Sequence, residues 1–232
     1  MAAGIRWEPG RLRCRRQQPY QGESSPATQP TSPEPRPDQA IYLITGIPAA
    51  GKSTVAQMLA ERLPQSVHVR GDQFRRMVIS GHAEMTADPS DEALRQLRLR
   101  HSLTAKVIDQ YFEAGFTVVA QDVILGDHLT QMIAQIRNRP LHVIVLVPQP
   151  KAIAARDAAR SKTAYNAWEI DPLDRILQRE TPRVGLRIDT SEQSPAETAD
   201  EILTRATAEA QTQEFNARTA RHSDSSHTRL HR

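Results

Sequence analysis

The stretch YLITGIPAAGKSTVAQMLAERL, residues 42–63, places an apolar run, a glycine-bounded loop and a helical pattern in direct succession. Its middle matches G-x-x-x-x-G-K-S/T from Gly46 to Ser53, between a predicted strand at 41–45 and a predicted helix at 52–63. Four residues between the glycines let backbone N–H groups wrap a phosphate, and the helix N-terminus adds partial positive charge. The stretch therefore predicts a site for a nucleoside triphosphate.

The residues of this loop have expected roles on a nucleoside triphosphate and its Mg²⁺. Lys52 is placed to reach the β- and γ-phosphates, Ser53 to ligate Mg²⁺ and Thr54 to donate to the α-phosphate. The residues expected to bind the nucleotide are Gly46, Ala49, Ala50, Gly51, Lys52, Ser53 and Thr54. A chance glycine-rich turn is the alternative, and the flanking strand and helix argue against it.

Four further apolar runs, rich in β-branched residues, predict strands at 66–70, 116–121, 141–147 and 186–189. Helix-patterned segments lie between them. Strands without polar alternation are buried on both faces, which is typical of a parallel sheet covered by helices. The sequence therefore predicts an α/β fold, a three-layer sandwich around a parallel five-stranded sheet, with ligands beyond the carboxyl ends of the strands.

Two of the helices have clear end signals. Asp88 as N-cap, Pro89 at the first helical position and Gly115 past the end predict a helix over about 89–114. The last helix is predicted to open with a capping box at 194–197, in which Ser and Glu bond each other's backbone N–H groups.

The two ends of the chain differ in composition from the middle. Residues 1–40 are rich in Pro, Ser, Gln and Arg, and residues 211–232 are similarly polar. Such segments bury too little apolar surface to offset the entropy cost of ordering them. We expect flexible tails at 1–40 and 211–232 and one folded domain at 41–210.

The net charge of the chain, +3, arises from the predicted tails. The first 40 residues carry six Arg against four acidic residues and residues 211–232 carry four Arg against two, which leaves the middle near −1. The sequence pI of about 9.3 therefore does not predict nucleic-acid binding by the folded part.

The only cysteine is Cys14, which excludes an internal disulfide and fits a reducing compartment. No apolar stretch approaches the length of about 18 residues that a membrane-spanning helix needs. The N-terminus is basic but lacks the apolar core of a secretion signal, so we expect a cytoplasmic protein. Its Arg-rich, acid-poor composition also imitates an organelle transit peptide, which is the alternative.

Asp72 lies two residues past the second predicted strand, on the ligand side of the sheet. A carboxylate there can accept the proton of a hydroxyl as that hydroxyl attacks the γ-phosphate. The alternative role is the N-cap of a helix that starts at Gln73. Arg75, one turn further on, is expected to bind an anionic acceptor, with a solvated surface arginine as the alternative.

Asp122 follows the third predicted strand, where a carboxylate binds Mg²⁺ or substrate; a turn residue is the alternative. Arg156 and Arg160 stand four residues apart on one helical face, and in a closing lid they would neutralise the transferred phosphoryl group. A solvated face that pairs with Asp157 is the alternative. Arg183, before the last strand, is expected to contact the nucleotide.

Five segments carry a resemblance to a known family: GIPAAGKST (46–54), VRGDQFRRM (69–77), VVAQDVILGD (118–127), RDAARSK (156–162) and IDTSEQSPAETADEI (188–202). With them the chain resembles the P-loop kinase group of small-molecule phosphotransferases. It looks most like the chloramphenicol phosphotransferase-like proteins, which are AAA-type small-molecule kinases. The resemblance spans the middle of the chain and neither tail.

This resemblance implies the sheet order 2-3-1-4-5 and the use of ATP with Mg²⁺. It also implies that Asp72 is the general base, that Lys52 is the loop lysine and that Arg156 or Arg160 is a lid arginine. The chain departs from the antibiotic-modifying members at Gln121, where those members carry a second acidic residue. The identity of the acceptor therefore stays open.

The resulting hypothesis is an ATP-dependent kinase that phosphorylates a hydroxyl of a small molecule, with antibiotics among the candidate acceptors. The segment from Asp72 to Arg75 is also similar to the Asp-x-x-Arg segment of phage-type polynucleotide 5′-kinases, which makes such a kinase the second hypothesis. The slightly acidic middle and the lack of a basic, aromatic channel argue against nucleic acid as a partner. A non-catalytic nucleotide switch whose tails bind a partner is the third hypothesis.

Overall fold

The computed structural model describes residues 36–86, 88–159 and 170–210. The strands are Ile41–Thr45 (β1), Ser66–Arg70 (β2), Thr117–Gln121 (β3), Leu141–Leu146 (β4) and Leu186–Ile188 (β5). The helices are Lys52–Arg62 (α1), Asp72–Arg76 (α2), Asp91–Glu113 (α3), His128–Gln135 (α4), Pro150–Ala158 (α5), Ile170–Arg175 (α6) and Pro195–Glu209 (α7). A π-helical turn, Ile176–Glu180, continues α6. All five predicted strands are present, and three of them are one residue shorter than predicted.

The five strands form one parallel sheet in the order β2-β3-β1-β4-β5, which confirms the predicted architecture. The central strand is β1, whose Ile41 is in register with Val118 of β3 and with Leu141 of β4. Because parallel strands end at the same edge, the segments that follow β1, β2 and β3 come together there. That edge holds the loop at 46–51, Asp72 and Asp122.

Helices cover both faces of the sheet, and β1 shows why its sequence does not alternate between apolar and polar residues. Ile41 and Leu43 point into a core shared with α3 and α4, and Tyr42 and Ile44 point into a second core shared with α1 and α7. Successive side chains of a strand alternate between faces, so a strand with two covered faces has no solvent-facing row of polar residues. Within the described residues, no helix has the length and hydropathy needed to cross a bilayer.

The start of α3 differs from the prediction. The helix begins at Asp91, and its N-cap is Ser90, whose hydroxyl accepts a hydrogen bond from the N–H of Ala93 at 3.2 Å. Asp88 as N-cap and Pro89 at the first helical position were therefore wrong, because a serine nearer the apolar pattern makes the capping bond. The predicted capping box of α7 is confirmed.

Residues just before β1 contact the described fold. Gln39 is 3% exposed, and its side-chain amide donates to the carbonyl oxygens of Phe112 and Phe116 at 2.6 and 3.2 Å. Arg36 donates to Gln65 at 3.0 Å. Arg36 and Gln39 thus contact the described fold from within the segment predicted as a tail; the rest of the predicted tails, 1–35 and 211–232, lies outside the described residues, and the division at 40 stays a prediction.

Gly185 packs against the sheet where an alanine cannot fit. It has φ +73°, and a Cβ at this position would lie 2.2 Å from the carbonyl oxygen of Val143. Gly81 has the same φ, but the Cβ of an alanine there would meet no described atom within 4 Å. We expect Gly81→Ala to cost about 1 kcal/mol in unfolding free energy from backbone strain alone, and Gly185→Ala roughly 3 kcal/mol, because the carbonyl must also move. Equal losses in urea denaturation would contradict this close approach.

Candidate active site

The segment between β1 and α1 has the backbone of an anion-binding loop. Its φ angles are positive at Gly46 (148°), Ala49 (59°) and Gly51 (94°). Residues of left-handed conformation placed between right-handed ones turn successive N–H groups toward one concave side. The loop lies directly before α1, so the N–H groups at the helix N-terminus extend the same concavity.

Lys52 supplies the positive charge of this loop. It is 7% exposed, and its Nζ donates to the carbonyl oxygen of Ile47 at 2.8 Å, which holds the ammonium group over the loop. The first turn of α1 contains no acidic residue, and no side chain caps it within the described part of the chain. Ser53 and Thr54 are exposed beside it. The N-terminus of α1 therefore offers both partial and full positive charge to an anion.

Asp72 is the first residue of α2, at the carboxyl end of β2. Its carboxylate is 41% exposed and accepts a hydrogen bond from Nη2 of Arg76 at 2.8 Å. The alternative that Asp72 caps a helix starting at Gln73 is wrong, because the helix includes Asp72 and Gly71 precedes it. The side chain is thus held by an exposed ion pair, which costs little to break.

Asp122 is buried and paired with an arginine that sequence reasoning did not single out. Its side chain is 3% exposed, and its Oδ2 lies 3.0 Å from Nε of Arg100, whose side chain is 13% exposed. Neither of these two atoms has a hydrogen bond of acceptable geometry within the described residues. The other oxygen, Oδ1, accepts from the N–H of Val123 at 2.8 Å. The ion pair is therefore held mainly by charge.

The electrostatics of Asp122 link the loop to α2. Burial raises the pKa of its carboxyl, while the charge of Arg100, the N–H of Val123 and the charge of Lys52 lower it, and the charge of Asp72 raises it further. Asp122 thus interacts with both Lys52 and Asp72. A Cβ on Gly71 would lie 2.2 Å from Oδ2 of Asp122, so the glycine lets this carboxylate approach the start of α2. Lys52, Asp72 and Asp122 each lie in the segment that follows a strand, at the same edge of the parallel sheet.

Arg75 lies one turn after Asp72 and holds a carboxylate. Its Nη2 lies 2.9 Å from both carboxylate oxygens of Glu84, and its Nε donates to Nε2 of His82 at 3.0 Å. The side chains of Arg75 and Glu84 are 49% and 63% exposed. An exposed pair of this kind contributes at most about 1 kcal/mol, so it can exchange for a ligand.

A cleft of about 350 Å³ lies beside these residues, and we call it the apolar cleft. Its wall begins at Pro48 of the phosphate-binding loop and includes Arg75 of α2 and Arg100 of α3. Most of the remaining wall is apolar and comes from α3, the segment after β3 and the helical stretch at 170–180: Leu94, Leu97, Val123, Leu125, Leu173 and Ile176. Small-molecule sites have this volume and this mixture of apolar walls with a few polar groups.

Arg156 contacts the loop at Ala50. Its guanidinium lies 3.5 Å from the carbonyl oxygen of Ala50 and also donates to Thr190, with Nη1 3.3 Å from the hydroxyl and Nη2 bonded to the carbonyl. With Thr54 and Gln193 these residues line a second cleft, of about 240 Å³. Arg156 thus contacts the loop in a cleft that shares no lining residue with the apolar cleft, and its predicted action on the transferred phosphoryl group stays a prediction.

The other two predicted arginines add less. Arg183 is exposed in the segment between the π-helical turn and β5. Arg160 lies outside the described residues, so its predicted role stays a prediction.

Ser53 and Asp122 are the oxygen donors predicted for Mg²⁺. No group of three or more His, Cys, Asp or Glu within the described residues is arranged to hold a metal ion. Mg²⁺ retains several waters and is bound through one or two carboxylates and substrate phosphates. Two protein oxygen donors are therefore enough for a Mg²⁺ site of this kind. The carboxylate of Asp122 is a donor of this type, although its Oδ2 is ion-paired with Arg100 and its Oδ1 accepts from the N–H of Val123.

Sequence reasoning missed Arg100 and Thr190. Arg100 is one of several arginines on α3, and only the folded structure distinguishes the one that reaches Asp122. Thr190 follows β5, and its position after the last strand was a usable signal, because ligands collect beyond the carboxyl ends of parallel strands.

Comparisons with known proteins agree with this geometry. A family model described as an AAA domain matches residues 41–182. The putative adenylate kinase of Thermococcus onnurineus is 32% identical over 173 residues, which cover 71% of this chain and 82% of the relative.

Two solved structures share the fold. The tunicamycin resistance protein of Deinococcus radiodurans has 16% identity and a TM-score of 0.56, covering 75% of this chain and 99% of that protein. The APS kinase CysC of Mycobacterium tuberculosis, solved with AMPPNP and APS, has 17% identity and a TM-score of 0.55, covering 73% and 98%. At these identities the two structures establish the fold and nothing finer.

Proposed function

Because the chain belongs to the AAA domain family and has the fold of the P-loop small-molecule kinases, we propose that it transfers the γ-phosphate of ATP to a hydroxyl group of a small molecule. The observation that carries this proposal is the apolar cleft, which runs from Pro48 of the phosphate-binding loop to Arg75 on the helix that begins with Asp72. An acceptor in this cleft would thus contact both the loop and the helix whose first residue is Asp72.

The reaction forms one bond and breaks one. The acceptor oxygen attacks the γ-phosphorus, the bond from that phosphorus to the β-phosphate oxygen breaks, and ADP leaves. Asp72 takes the proton of the acceptor hydroxyl, and its exposed pairing with Arg76 leaves it free to turn toward the cleft. Lys52 and the loop N–H groups stabilise the charge on the phosphates.

The nucleotide occupies the loop, with its phosphates over residues 46–51. Ser53 and Asp122 would hold Mg²⁺, which when bound supplies positive charge to the β- and γ-phosphates. The second cleft, lined by Arg156 and Thr190, would take the nucleoside part. Arg160 remains the proposed second arginine on the phosphates, and Arg183 a proposed outer contact to the nucleotide.

A phosphate acceptor is the second candidate, and the name of one relative favours it. The protein of Thermococcus onnurineus is called a putative adenylate kinase, which makes AMP a candidate acceptor here. A phosphate oxygen is already ionised at neutral pH and needs no base, whereas a hydroxyl gains from one. The position of Asp72 therefore supports a hydroxyl acceptor over a phosphate acceptor.

A transfer screen tests the proposal. The full chain is incubated with Mg²⁺ and ATP labelled in the γ-phosphate, together with hydroxylated metabolites, hydroxylated antibiotics, AMP and oligonucleotides with a 5′-hydroxyl. We expect Mg²⁺-dependent label on a small hydroxylated acceptor. Label on AMP alone would support the phosphate acceptor, label on oligonucleotides alone would support a polynucleotide kinase, and ATP binding without any transfer would support a nucleotide switch; each result would overturn the proposal.

A further inference from the structure

The side chains that line the apolar cleft are either positively charged or neutral. Of the thirteen described residues that line it, nine are apolar and four are polar, namely Arg75, Thr86, Arg100 and His128. No acidic side chain and no Phe, Tyr or Trp is among these thirteen. A molecule that fills the cleft therefore meets an apolar surface with two guanidinium groups.

Arg100 is available to a ligand although it contacts Asp122. Its Nε faces Oδ2 of the carboxylate at 3.0 Å without hydrogen-bond geometry, and its Nη2 makes one long contact, 3.5 Å, to the carbonyl oxygen of Val123. A guanidinium has five N–H donors, so most of its capacity is unused by these contacts. Arg100 lines the cleft and Asp122 does not, so the ion pair holds the guanidinium through a residue outside the lining.

Arg75 shows how an anion would bind. Glu84 places both carboxylate oxygens 2.9 Å from Nη2 of Arg75, from a side chain that does not line the cleft. Because both partners are about half exposed or more, the net stabilisation from this pair is small. A ligand carboxylate of the same shape can take the place of Glu84 at little cost.

We propose that the acceptor is an amphipathic anion: a hydroxylated molecule whose apolar body fills the cleft and whose carboxylate or phosphate group binds Arg100 and Arg75. This inference rests on the proposed function, which identifies the apolar cleft as the acceptor site. A sugar body is disfavoured, because burying its hydroxyls against Leu94, Leu97 and Ile176 leaves them without hydrogen bonds. A nucleic-acid strand is disfavoured, because the described wall has no Phe, Tyr or Trp on which bases stack.

Matched binding probes test this inference. Calorimetry with the full chain, saturated with Mg²⁺ and AMPPNP, compares 8-hydroxyoctanoate and 4-(hydroxymethyl)benzoate with their primary amides and with gluconate. We expect each carboxylate to bind at least about tenfold more tightly than its own amide and than gluconate, as charge-assisted bonds require. Equal affinity of acid and amide, preference for gluconate, or no binding of either acid would overturn the inference.

Substitution identifies the anion-binding groups. Arg100→Gln is expected to weaken binding of the carboxylates about 10- to 100-fold and to change binding of the amides less than about twofold. A purely structural role of Arg100 would weaken acid and amide alike. Arg95→Gln is the matched control, because Arg95 lies on the same helix, is 65% exposed and pairs with Glu92. We expect this control to leave every affinity unchanged.

Arg100→Gln leaves the buried Asp122 without its ion-pair partner, which can prevent folding. Arg75→Gln is the second variant, and it tests the inference without disturbing Asp122. Arg75 loses only an exposed ion pair, so its variant is expected to be stable and to weaken carboxylate binding severalfold, with the amides unaffected. Unchanged carboxylate affinity in Arg75→Gln would overturn the inference. The transfer screen separates the two proposals: transfer to neutral acceptors only would end this inference alone, and selective carboxylate binding without any transfer would end the proposed function and leave the cleft as an anion-binding site.

Discussion

Replacing Asp72 with Asn is expected to lower kcat about 10²- to 10⁴-fold, the range over which a positioned general base accelerates proton transfer. An amide keeps the size of the side chain and cannot take the proton of the acceptor hydroxyl. The affinity for ATP is expected to stay within about twofold, because Asp72 lies at the start of α2 and not in the phosphate-binding loop.

The stability of this variant should change little. Asp72→Asn removes an exposed ion pair with Arg76, which contributes at most about 1 kcal/mol. Asp91→Asn is a matched control, since Asp91 is the exposed first residue of α3 as Asp72 is the first residue of α2. Single-turnover transfer and calorimetry with AMPPNP measure the two effects separately. If Asp72→Asn transfers phosphate at the rate of the control, Asp72 is not the base.

The local part of the fold was predictable from the sequence, because the signals are local. The loop motif predicts a strand before Gly46 and a helix that starts at Lys52. Apolar runs without alternation predict strands that are covered on both faces. The sheet order came from the resemblance to a family. Ends of elements were less predictable: Ser90 caps α3 although Asp88 and Pro89 offer the same kind of signal two residues earlier.

The contacts within the site were less predictable, since they depend on residues far apart in the chain. Arg100 meets Asp122 because α3 packs across the ends of β2 and β3, and no spacing in the sequence encodes that crossing. Arg156 was predicted as a site residue because it stands four positions before Arg160 on a helix. In the structure its guanidinium instead contacts Thr190, which follows β5. Residue types that suit catalysis were thus visible early, while their partners required the tertiary structure.

Removing the ammonium group by Lys52→Ala is expected to lower kcat/KM about 10²- to 10³-fold, the cost of losing one preorganised charge aimed at the transferred group. Lys52 is buried over the loop and donates to Ile47, so its position is fixed before the nucleotide binds. A fixed charge requires no reorganisation when negative charge moves from the γ-phosphate to the leaving oxygen. Most of the loss should therefore appear in kcat, and the Kd for ATP should rise less than about tenfold.

Lys106→Ala is the control for Lys52→Ala, because Lys106 is exposed on α3. If the loss appears entirely as weaker ATP binding with kcat unchanged, then Lys52 binds the ground state and transition state equally and its catalytic role is excluded.

The double variant Lys52→Ala/Asp72→Asn provides a further check. Two groups that act in one transition state are not additive, so the double variant should lose far less than the product of the two single losses. A fully multiplicative loss would mean that the two residues contribute independently to the transition state, and would contradict their action as a coupled unit.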